Sequence, residues 1–266
     1  MKRVALLLLL TWLLPDGTQA LLLFTEEYPP VAFSDRDGQA AGMAVEVAQE
    51  ILRRMDQPAS LQVVPWSRAY RIAQTTPDTA IFPTMRTAER EPQFKWVGPI
   101  LLTADNFYAL KGSGIVIRDQ QELSRVRQIA VPRNWFTYQQ LRAAGMTNLL
   151  SVNEPSQMFQ LLRVGRVPLI LADNVLFYAR PEAVGGKQPL RPHEVEVVYP
   201  YQVSYGYITF WVGTDDAEIQ RWQAALDEMK RDGTFSLIYQ RWLPGAEEPG
   251  LREPDSTIVP PLESAD

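Results

Sequence analysis

The sequence contains no cysteine among its 266 residues. This absence excludes a disulfide framework, a thiolate metal site and a thiol nucleophile, so stability has to come from packing of the core. Histidine occurs once, at His193, and the carboxylates show no metal-ligand spacing around it. We therefore expect neither a metal nor another cofactor.

Long apolar runs are also scarce. The run at residues 4–14 follows Lys2 and Arg3 and is broken by Pro15, and small residues appear by Ala20. A secretory signal has a basic start, an apolar middle of about 7–15 residues and a small-residue exit, whereas a membrane-spanning helix needs about 20 apolar residues. We predict that residues 1–20 are a cleaved signal peptide and that the mature chain is periplasmic. The alternative is an uncleaved anchor.

The excess of negative charge comes from the C-terminal end of the chain. The formal net charge is −5, and residues 245–266 alone carry six acidic residues and one arginine. The remainder is therefore nearly neutral and has no basic stripe, so we expect no nucleic acid or anionic lipid partner. Residues 246–266, rich in proline and acidic residues, are predicted to be a disordered tail.

Strand-like and helix-like segments alternate along the rest of the chain. The first part has predicted strands at residues 21–25, 61–64 and 79–82 and predicted helices at residues 43–55 and 67–74. After a glycine-rich break at residues 112–114, strands are predicted at 128–131, 149–152 and 167–172, with helices at 137–144 and 156–164. Ser156 is predicted to cap the latter helix and Gly165 to end it. Such alternation predicts an α/β fold with a parallel sheet.

Two extended segments, residues 107–110 and 205–210, flank the second α/β unit, and helices are predicted beyond them at residues 216–232 and 235–242. We therefore predict two α/β lobes, lobe 1 from residues 21–110 plus 205–245 and lobe 2 from residues 111–204. The extended segments are the predicted hinge strands. Because small ligands bind in clefts at domain interfaces, the predicted ligand site lies between the lobes.

Five segments carry a resemblance to a known family. In chain order they are FTEEYPPVAF, GMAVEVAQEI, VPWSRAYRIAQ, AIFPTMRTAEREPQFKWVGPI and VGRVPLILAD. They resemble the bacterial extracellular solute-binding proteins of family 3, which serve polar amino acid ABC transporters. The resemblance covers residues 22–243 and implies a periplasmic binding protein-like fold of type II. It also implies a monomer that binds an amino acid or related carboxylate without chemistry, with an ABC permease or a membrane sensor as partner.

The resemblance further implies which side chains hold the ligand. The arginine of a T-x-x-R motif, which grips the ligand α-carboxylate, falls on Arg90, and a guanidinium suits this task because it offers two parallel donors. Arg86 is a second candidate, and surface pairing with a neighbouring glutamate is the alternative for both. Tyr28 and Trp66 match the aromatic rings that sandwich the ligand, with core packing as their alternative.

Lobe 2 is expected to supply an acid for the ligand ammonium. Asp173 stands in that place, directly after an apolar strand, and the alternative is that it caps a helix starting at Asn174. Two stretches depart from the family pattern of small hydroxyl residues, namely residues 82–85 and 133–137. They contribute the further candidates Thr84, Asn134, Trp135, Phe136 and Thr137. This bulkier, less polar site suits an aromatic or less polar carboxylate as well as an amino acid.

An enzyme is the alternative class. The same fold resembles secreted cyclohexadienyl and arogenate dehydratases, whose chemistry needs a general acid of raised pKa in the cleft. The sequence shows no nucleophile elbow and no glycine-rich phosphate loop, and His193 lies in a polar loop. A binding protein is therefore the favoured interpretation.

Overall fold

A computed structural model describes residues 20–133, 135–179 and 190–251. The predicted signal peptide up to residue 19, the candidate Asn134 and the tail from residue 252 lie outside the described residues. In the described part of the chain, no helix has the length and apolar character needed to cross a membrane.

The described residues form ten strands and seven α-helices. The strands are β1 (Leu21–Thr25), β2 (Phe33–Ser34), β3 (Ala40–Ala41), β4 (Ala59–Val63), β5 (Thr79–Met85), β6 (Phe94–Leu110), β7 (Ile129–Pro132), β8 (Leu149–Val152), β9 (Leu169–Asp173) and β10 (Val195–Trp211). The helices are α1 (Met43–Met55), α2 (Trp66–Thr75), α3 (Gln120–Arg125), α4 (Phe136–Ala143), α5 (Pro155–Arg163), α6 (Asp216–Arg231) and α7 (Thr234–Trp242).

Eight strands form one mixed sheet in the order β4-β1-β5-β10-β6-β9-β7-β8, and β2 pairs with β3 separately. Strand β1 pairs in parallel with β4 and β5, and β7 pairs in parallel with β8 and β9. The long strands β6 and β10 pair antiparallel and join these two parallel groups. The α/β prediction is confirmed, although the centre of the sheet is antiparallel.

Helices cover both faces of the first parallel group. Helix α1 packs its buried side, which includes Val47 and Ile51, together with α6 and α7 on one face. On the other face, α2 buries Ala69 and Ala73 against Phe24. Helix α1 begins after Gly42, whose φ is +122° and where a Cβ atom would lie 2.5 Å from the carbonyl oxygen of Val31. Only glycine fits that start, because a side chain would collide with backbone.

The second parallel group is built in the same way. Leu123 of α3 and Leu141 of α4 pack with Ile129 and Leu171 on one face of the sheet. Met158 of α5 packs on the opposite face. Each half of the sheet is therefore a helix, sheet and helix sandwich, and one cluster of buried side chains extends across both halves.

Most predicted elements are confirmed, and the exceptions have local causes. Helix α1 has the predicted bounds, whereas β5 continues through Pro83 to Met85. The predicted cap Ser156 is wrong, because α5 begins at Pro155 and the Ser156 hydroxyl donates to the Glu154 carboxylate. Helix α3 was not predicted, because it buries a single residue, Leu123, and so has no periodic pattern of apolar residues.

The two extended segments prove to be parts of strands of 17 residues each. Strand β10 pairs with β5 from Gly206 onward, and β6 pairs with β9 from Asp105 onward. Between these regions, residues 102–104 of β6 face residues 203–205 of β10, with Thr103 opposite Ser204. We call this stretch the strand crossing. It includes residue 205 of one predicted hinge segment, whereas the other, residues 107–110, lies beyond it, where β6 begins to pair with β9.

The C-terminal segment stays in contact with the rest of the protein beyond residue 245. Ala246 is buried, the Glu248 carboxylate accepts a hydrogen bond from Ser236 at 2.7 Å, and the Gly250 carbonyl accepts one from Lys230 at 2.6 Å. The segment up to Gly250 thus packs on α6 and α7, and the remainder of the predicted tail lies outside the described residues.

Candidate ligand site

A cavity of about 60 Å³ lies at the strand crossing, between the two halves of the sheet. We call it the inner cavity. It is lined by Glu26, Tyr28, Trp66, Pro83, Met85, Arg90, Thr103, Asp105, Trp135, Phe136 and Asp173. In open α/β sheets, ligands bind outside the carboxyl ends of the strands. The cavity has this position, because Glu26 follows β1 and Asp173 ends β9.

Arg90 supplies the positive charge of the inner cavity. One guanidinium nitrogen donates to the Met85 carbonyl at 3.1 Å, and the group lies over the rings of Trp66 and Tyr70 at 5.5 and 5.4 Å from their centroids. Burial lowers its pKa, yet an arginine stays charged at neutral pH. No carboxylate of the described residues lies within ion-pair distance of Arg90, so this charge is available to an anionic ligand group.

Three carboxyl groups face this single cation. Asp105 of β6 and Asp173 of β9 are direct cross-strand partners, and Glu26 lies on the other side of the cavity. Burial raises the pKa of Asp105 to about 7 with help from the Asp173 charge, and it raises the pKa of Glu26 to about 7 and of Asp173 to about 6. Among the described residues, no group of acidic and histidine side chains is arranged to hold a metal ion.

Hydrogen bonds hold both aspartates in place. Asp105 accepts from the Gln202 amide at 3.2 Å and the Ser204 hydroxyl at 3.3 Å. Asp173 accepts from the backbone N–H groups of Val175 and Leu176 at 3.0 and 3.1 Å, so it caps the short helical turn that follows β9. Asp173 therefore both caps a helix and lines the cavity, and the two interpretations of this residue are compatible.

Tyr28 links the two halves of the sheet across the cavity. Its hydroxyl is hydrogen-bonded to Asp173, and its ring meets Trp135 edge to face at 6.3 Å. Burial and the nearby carboxylates raise the pKa of Tyr28 well above 10, so the phenol stays protonated and donates to Asp173. The contact joins residues that follow β1 to residues of the second half.

The structure brings six of the ten candidate residues to the cavity wall, namely Tyr28, Trp66, Arg90, Trp135, Phe136 and Asp173. Thr137 is fully buried at the start of α4, and its hydroxyl has no hydrogen-bond partner among the described residues. Asn134 lies outside the described residues. His193, discussed for an enzyme, lies in an exposed turn.

Arg86 and Thr84 do not line the inner cavity. Arg86 makes two hydrogen bonds of 2.6 Å to Glu91, and its guanidinium lies 5.4 and 5.2 Å from the ring centroids of Trp96 and Tyr207. The Thr84 hydroxyl shares a hydrogen bond of 2.9 Å with Thr209. Both of these candidate ligand-binding side chains thus have partners away from the cavity, Arg86 with Glu91 and Thr84 with Thr209.

Sequence reasoning missed five wall residues, Glu26, Pro83, Met85, Thr103 and Asp105. Asp105 had a signal, because it is the one acidic residue of a largely apolar strand, and burying a carboxylate without a partner is costly. Glu26 lies two residues before the candidate Tyr28. The missed residues add two acids, so the cavity is more negative than the sequence indicated.

The raised pKa of Asp105 predicts that the stability of the folded protein depends on pH. Its folded pKa is about 7 against 3.8 in the unfolded chain, so between these values the folded protein binds a proton that the unfolded chain has lost. Stability must fall as pH rises through this window. We expect Asp105→Asn to raise the free energy of unfolding at pH 8 by about 1–3 kcal/mol.

Chemical denaturation of apo protein at pH 5 and pH 8 checks this. At pH 5 the wild-type Asp105 is protonated and resembles asparagine, so the variant and wild type should differ little there. An equal loss of stability at both values would show that Asp105 contributes through its hydrogen bonds, and not through a buried charge.

A mixed α/β sheet crossed by two long strands, with a polar cavity at the crossing, defines the class of type II periplasmic binding proteins. The chain belongs to the bacterial extracellular solute-binding proteins, family 3, whose family model matches residues 22–245.

Relatives and solved structures agree with this assignment. The L-cystine-binding protein TcyJ of Escherichia coli (strain K12) is 22% identical over 217 residues, which cover 81% of this chain and 79% of TcyJ. A histidine kinase sensor domain with similarity to periplasmic binding proteins superposes with a TM-score of 0.73 at 20% identity, covering 87% of this chain and 98% of that one. An ancestral amino acid-binding protein, a precursor of cyclohexadienyl dehydratase, gives a TM-score of 0.68 at 17% identity, covering 84% and 95%.

Proposed function

We propose that the mature chain is a periplasmic solute-binding protein that captures an amino acid or a similar small carboxylate and delivers it to an ABC transporter. The observation that carries this proposal is the charge arrangement of the inner cavity. Arg90, which has no carboxylate partner among the described residues, lies on one side, and the buried Asp105 and Asp173 lie on the other. A zwitterion has the two charges that such a site needs.

Each predicted contact has a role in this proposal. Arg90 holds the α-carboxylate, Asp173 holds the α-ammonium, and the rings of Tyr28 and Trp66 cover the ligand. Thr137 adds a hydroxyl donor for the carboxylate, since its Oγ1 is buried at the start of α4 and no other described residue hydrogen-bonds to it. Asn134, three residues before Thr137, is a further candidate donor.

Capture is proposed to occur by closure of the two lobes. Lobe 1 is residues 21–110 plus 205–245, lobe 2 is residues 111–204, and the strand crossing is the pivot. Arg90 belongs to lobe 1 and Asp173 to lobe 2. A ligand that contacts both is held better in the closed form and shifts the population toward it.

A thermal-shift screen of the mature protein tests the proposal. Amino acids, aromatic acids and opines are added separately, and a true ligand stabilises the native state by about 2.7 kcal/mol at a hundredfold excess over its Kd. Calorimetry then gives the affinity of each hit. If no compound carrying a carboxylate binds, the proposed function is wrong.

The partner requires a separate test, because a membrane sensor is the alternative to a permease and the fold likeness includes a kinase sensor domain. Deleting the gene should abolish uptake of the labelled ligand if the partner is a transporter. Normal uptake with a lost transcriptional response to the ligand would identify a sensor.

A second candidate function is the dehydratase reaction, favoured by the carboxyl groups of Glu26 and Asp105 with pKa values of about 7. Such a group can protonate a leaving hydroxyl, which departs as water while the ring carboxylate leaves as CO2 and its bonding electrons complete the aromatic ring. Incubation with a hydroxycyclohexadienyl acid should then give an absorbance change that Glu26→Gln abolishes. No product in excess of the buffer control excludes this candidate.

A further inference from the structure

Neutral groups hold the guanidinium of Arg90 in place. It donates to the Met85 carbonyl, lies over the rings of Trp66 and Tyr70, and is hydrogen-bonded to the Tyr70 hydroxyl. An unrestrained arginine side chain samples many rotamers, and a ligand that has to fix it loses affinity. Groups that fix the guanidinium in the free protein therefore raise the affinity for a ligand without contacting it.

Gln93 connects the turn that carries Arg90 to helix α2. Its side-chain oxygen accepts hydrogen bonds from the Tyr70 hydroxyl at 2.9 Å and from the Gln74 amide at 2.5 Å. Its side-chain nitrogen donates to the carbonyl of Glu89, the residue before Arg90, at 2.7 Å. Because a carbonyl can only accept, this last contact fixes which end of the Gln93 amide faces α2.

The direction of these hydrogen bonds fixes the hydroxyl of Tyr70. Burial raises the pKa of Tyr70 above 10.0, so the phenol keeps its single proton and donates it to the oxygen of Gln93. The lone pairs of the hydroxyl then accept from the guanidinium of Arg90, which can only donate. Donation thus runs from Arg90 to Tyr70 to Gln93, and each hydrogen bond of such a chain strengthens the next.

We propose that Tyr70 and Gln93 are positioning residues of the ligand site, which fix the Arg90 guanidinium in the orientation that receives a carboxylate. This inference rests on the proposed function and extends it to two residues that are not part of the inner cavity wall. Tyr70 acts on the guanidinium directly, and Gln93 acts through Tyr70 and the Glu89 carbonyl. Loss of either side chain leaves the charge of Arg90 in place but lets the guanidinium rotate.

Nuclear magnetic resonance of the Arg90 side chain tests the inference without any ligand. Rotation about the Nε–Cζ bond is measured in wild type, in Tyr70→Phe, which keeps the ring and removes only the hydroxyl, and in Gln93→Ala. The signal of Arg90 is the one that disappears in Arg90→Lys. We expect rotation to be at least about threefold faster in both variants than in wild type, because loss of one hydrogen bond corresponds to a factor of this size.

Two matched control variants change the same side-chain types elsewhere. Tyr199→Phe removes a phenol hydroxyl from β10 in the second half of the sheet, and Gln240→Ala removes an amide that ties α7 to the turn after it. Arg90 should rotate in both controls as in wild type. A merely structural role of Tyr70 or Gln93 would lower the melting temperature without changing the rotation of Arg90.

Acetate measures the consequence for binding. It is a carboxylate of a size that suits the inner cavity of about 60 Å³, and it has no side chain of its own. Its binding is followed through the Nε signal of Arg90. We expect acetate to bind Tyr70→Phe and Gln93→Ala about three- to tenfold more weakly than wild type, and to bind the two controls as it binds wild type.

The outcomes separate this inference from the proposed function. Unchanged rotation of Arg90 in either variant overturns the positioning role of that residue. Faster rotation with unchanged acetate affinity overturns the contribution to binding and leaves the proposed function intact. If acetate does not shift the Arg90 signal of wild type, Arg90 is not a carboxylate site and the proposed function fails, whereas the rotation measurement still decides whether Tyr70 and Gln93 hold the guanidinium.

Discussion

Replacing Arg90 by lysine is expected to weaken ligand binding by roughly ten- to hundredfold, because one charge-assisted hydrogen bond of a bidentate pair is worth about 1.5–3 kcal/mol. Lysine keeps the charge but offers a single ammonium, which cannot present two parallel donors to a carboxylate. The apo protein should lose little stability, since the guanidinium, which contacts the Met85 carbonyl and the side chains of Trp66 and Tyr70, forms no ion pair with a described residue. Titration calorimetry with a ligand from the screen measures the effect.

Arg86→Lys is the matched control for this experiment. Arg86 is also held near two rings, but it pairs with Glu91 and does not line the inner cavity. This variant should lower the melting temperature and leave affinity unchanged. The reverse pattern, with binding lost in Arg86→Lys and retained in Arg90→Lys, would assign the carboxylate to Arg86.

Asp173→Asn is expected to reduce affinity by a similar factor and to reduce ligand-induced closure. Asparagine is the informative substitution, because its side-chain oxygen can still accept from Val175 and Leu176 and so preserve the helix cap that alanine would remove. What disappears is the negative charge that we propose holds the ligand ammonium. A hydrogen bond to a charged group contributes about 1.5–3 kcal/mol, so the loss should again be roughly ten- to hundredfold.

Small-angle scattering measures closure in the same samples. The radius of gyration of wild type should fall on addition of a confirmed ligand, and the fall should be smaller in Asp173→Asn at equal ligand concentration. The protein should end at residue 251, since contacts with the body reach Gly250. Asp119→Asn, in which an exposed cap of α3 is changed in the same way, is the control and should close normally.

A scattering curve that stays unchanged when a confirmed ligand binds wild type would contradict closure. The ligand would then bind without lobe motion, and Tyr28, which already contacts Trp135 and Asp173 across the cavity, would hold the lobes together in the free protein.

Residues 82–85 and 133–137, which depart from the family pattern, led us to expect more ring surface and lower polarity in the ligand site. Trp135 and Phe136 do line the inner cavity, which agrees with the expectation of more ring surface. The expectation of lower polarity stays a prediction about the ligand, but Glu26 and Asp105 add two acids to the wall. A ligand with a positively charged group therefore suits this cavity better than a purely apolar acid.

The sequence by itself determined most of the helices and strands, because the period of apolar residues is a local property. It placed α1 at Met43–Met55 and β1 at Leu21–Thr25 without any knowledge of their neighbours. It also excluded every function that needs cysteine, and the order of five segments was enough to identify the family. These conclusions depend only on the composition of the chain and on the order of its residues.

The tertiary structure decided which side chains meet. Arg86 and Arg90 lie in one short segment, and only packing shows that Glu91, Trp96 and Tyr207 surround the first while the second lines the cavity. Asp105 becomes part of the site because β6 pairs with β9, which sets it opposite Asp173. Strand pairing brings together residues that are far apart in the chain, and no local pattern encodes that distance. For the same reason the burial that raises both pKa values is visible only in the folded protein.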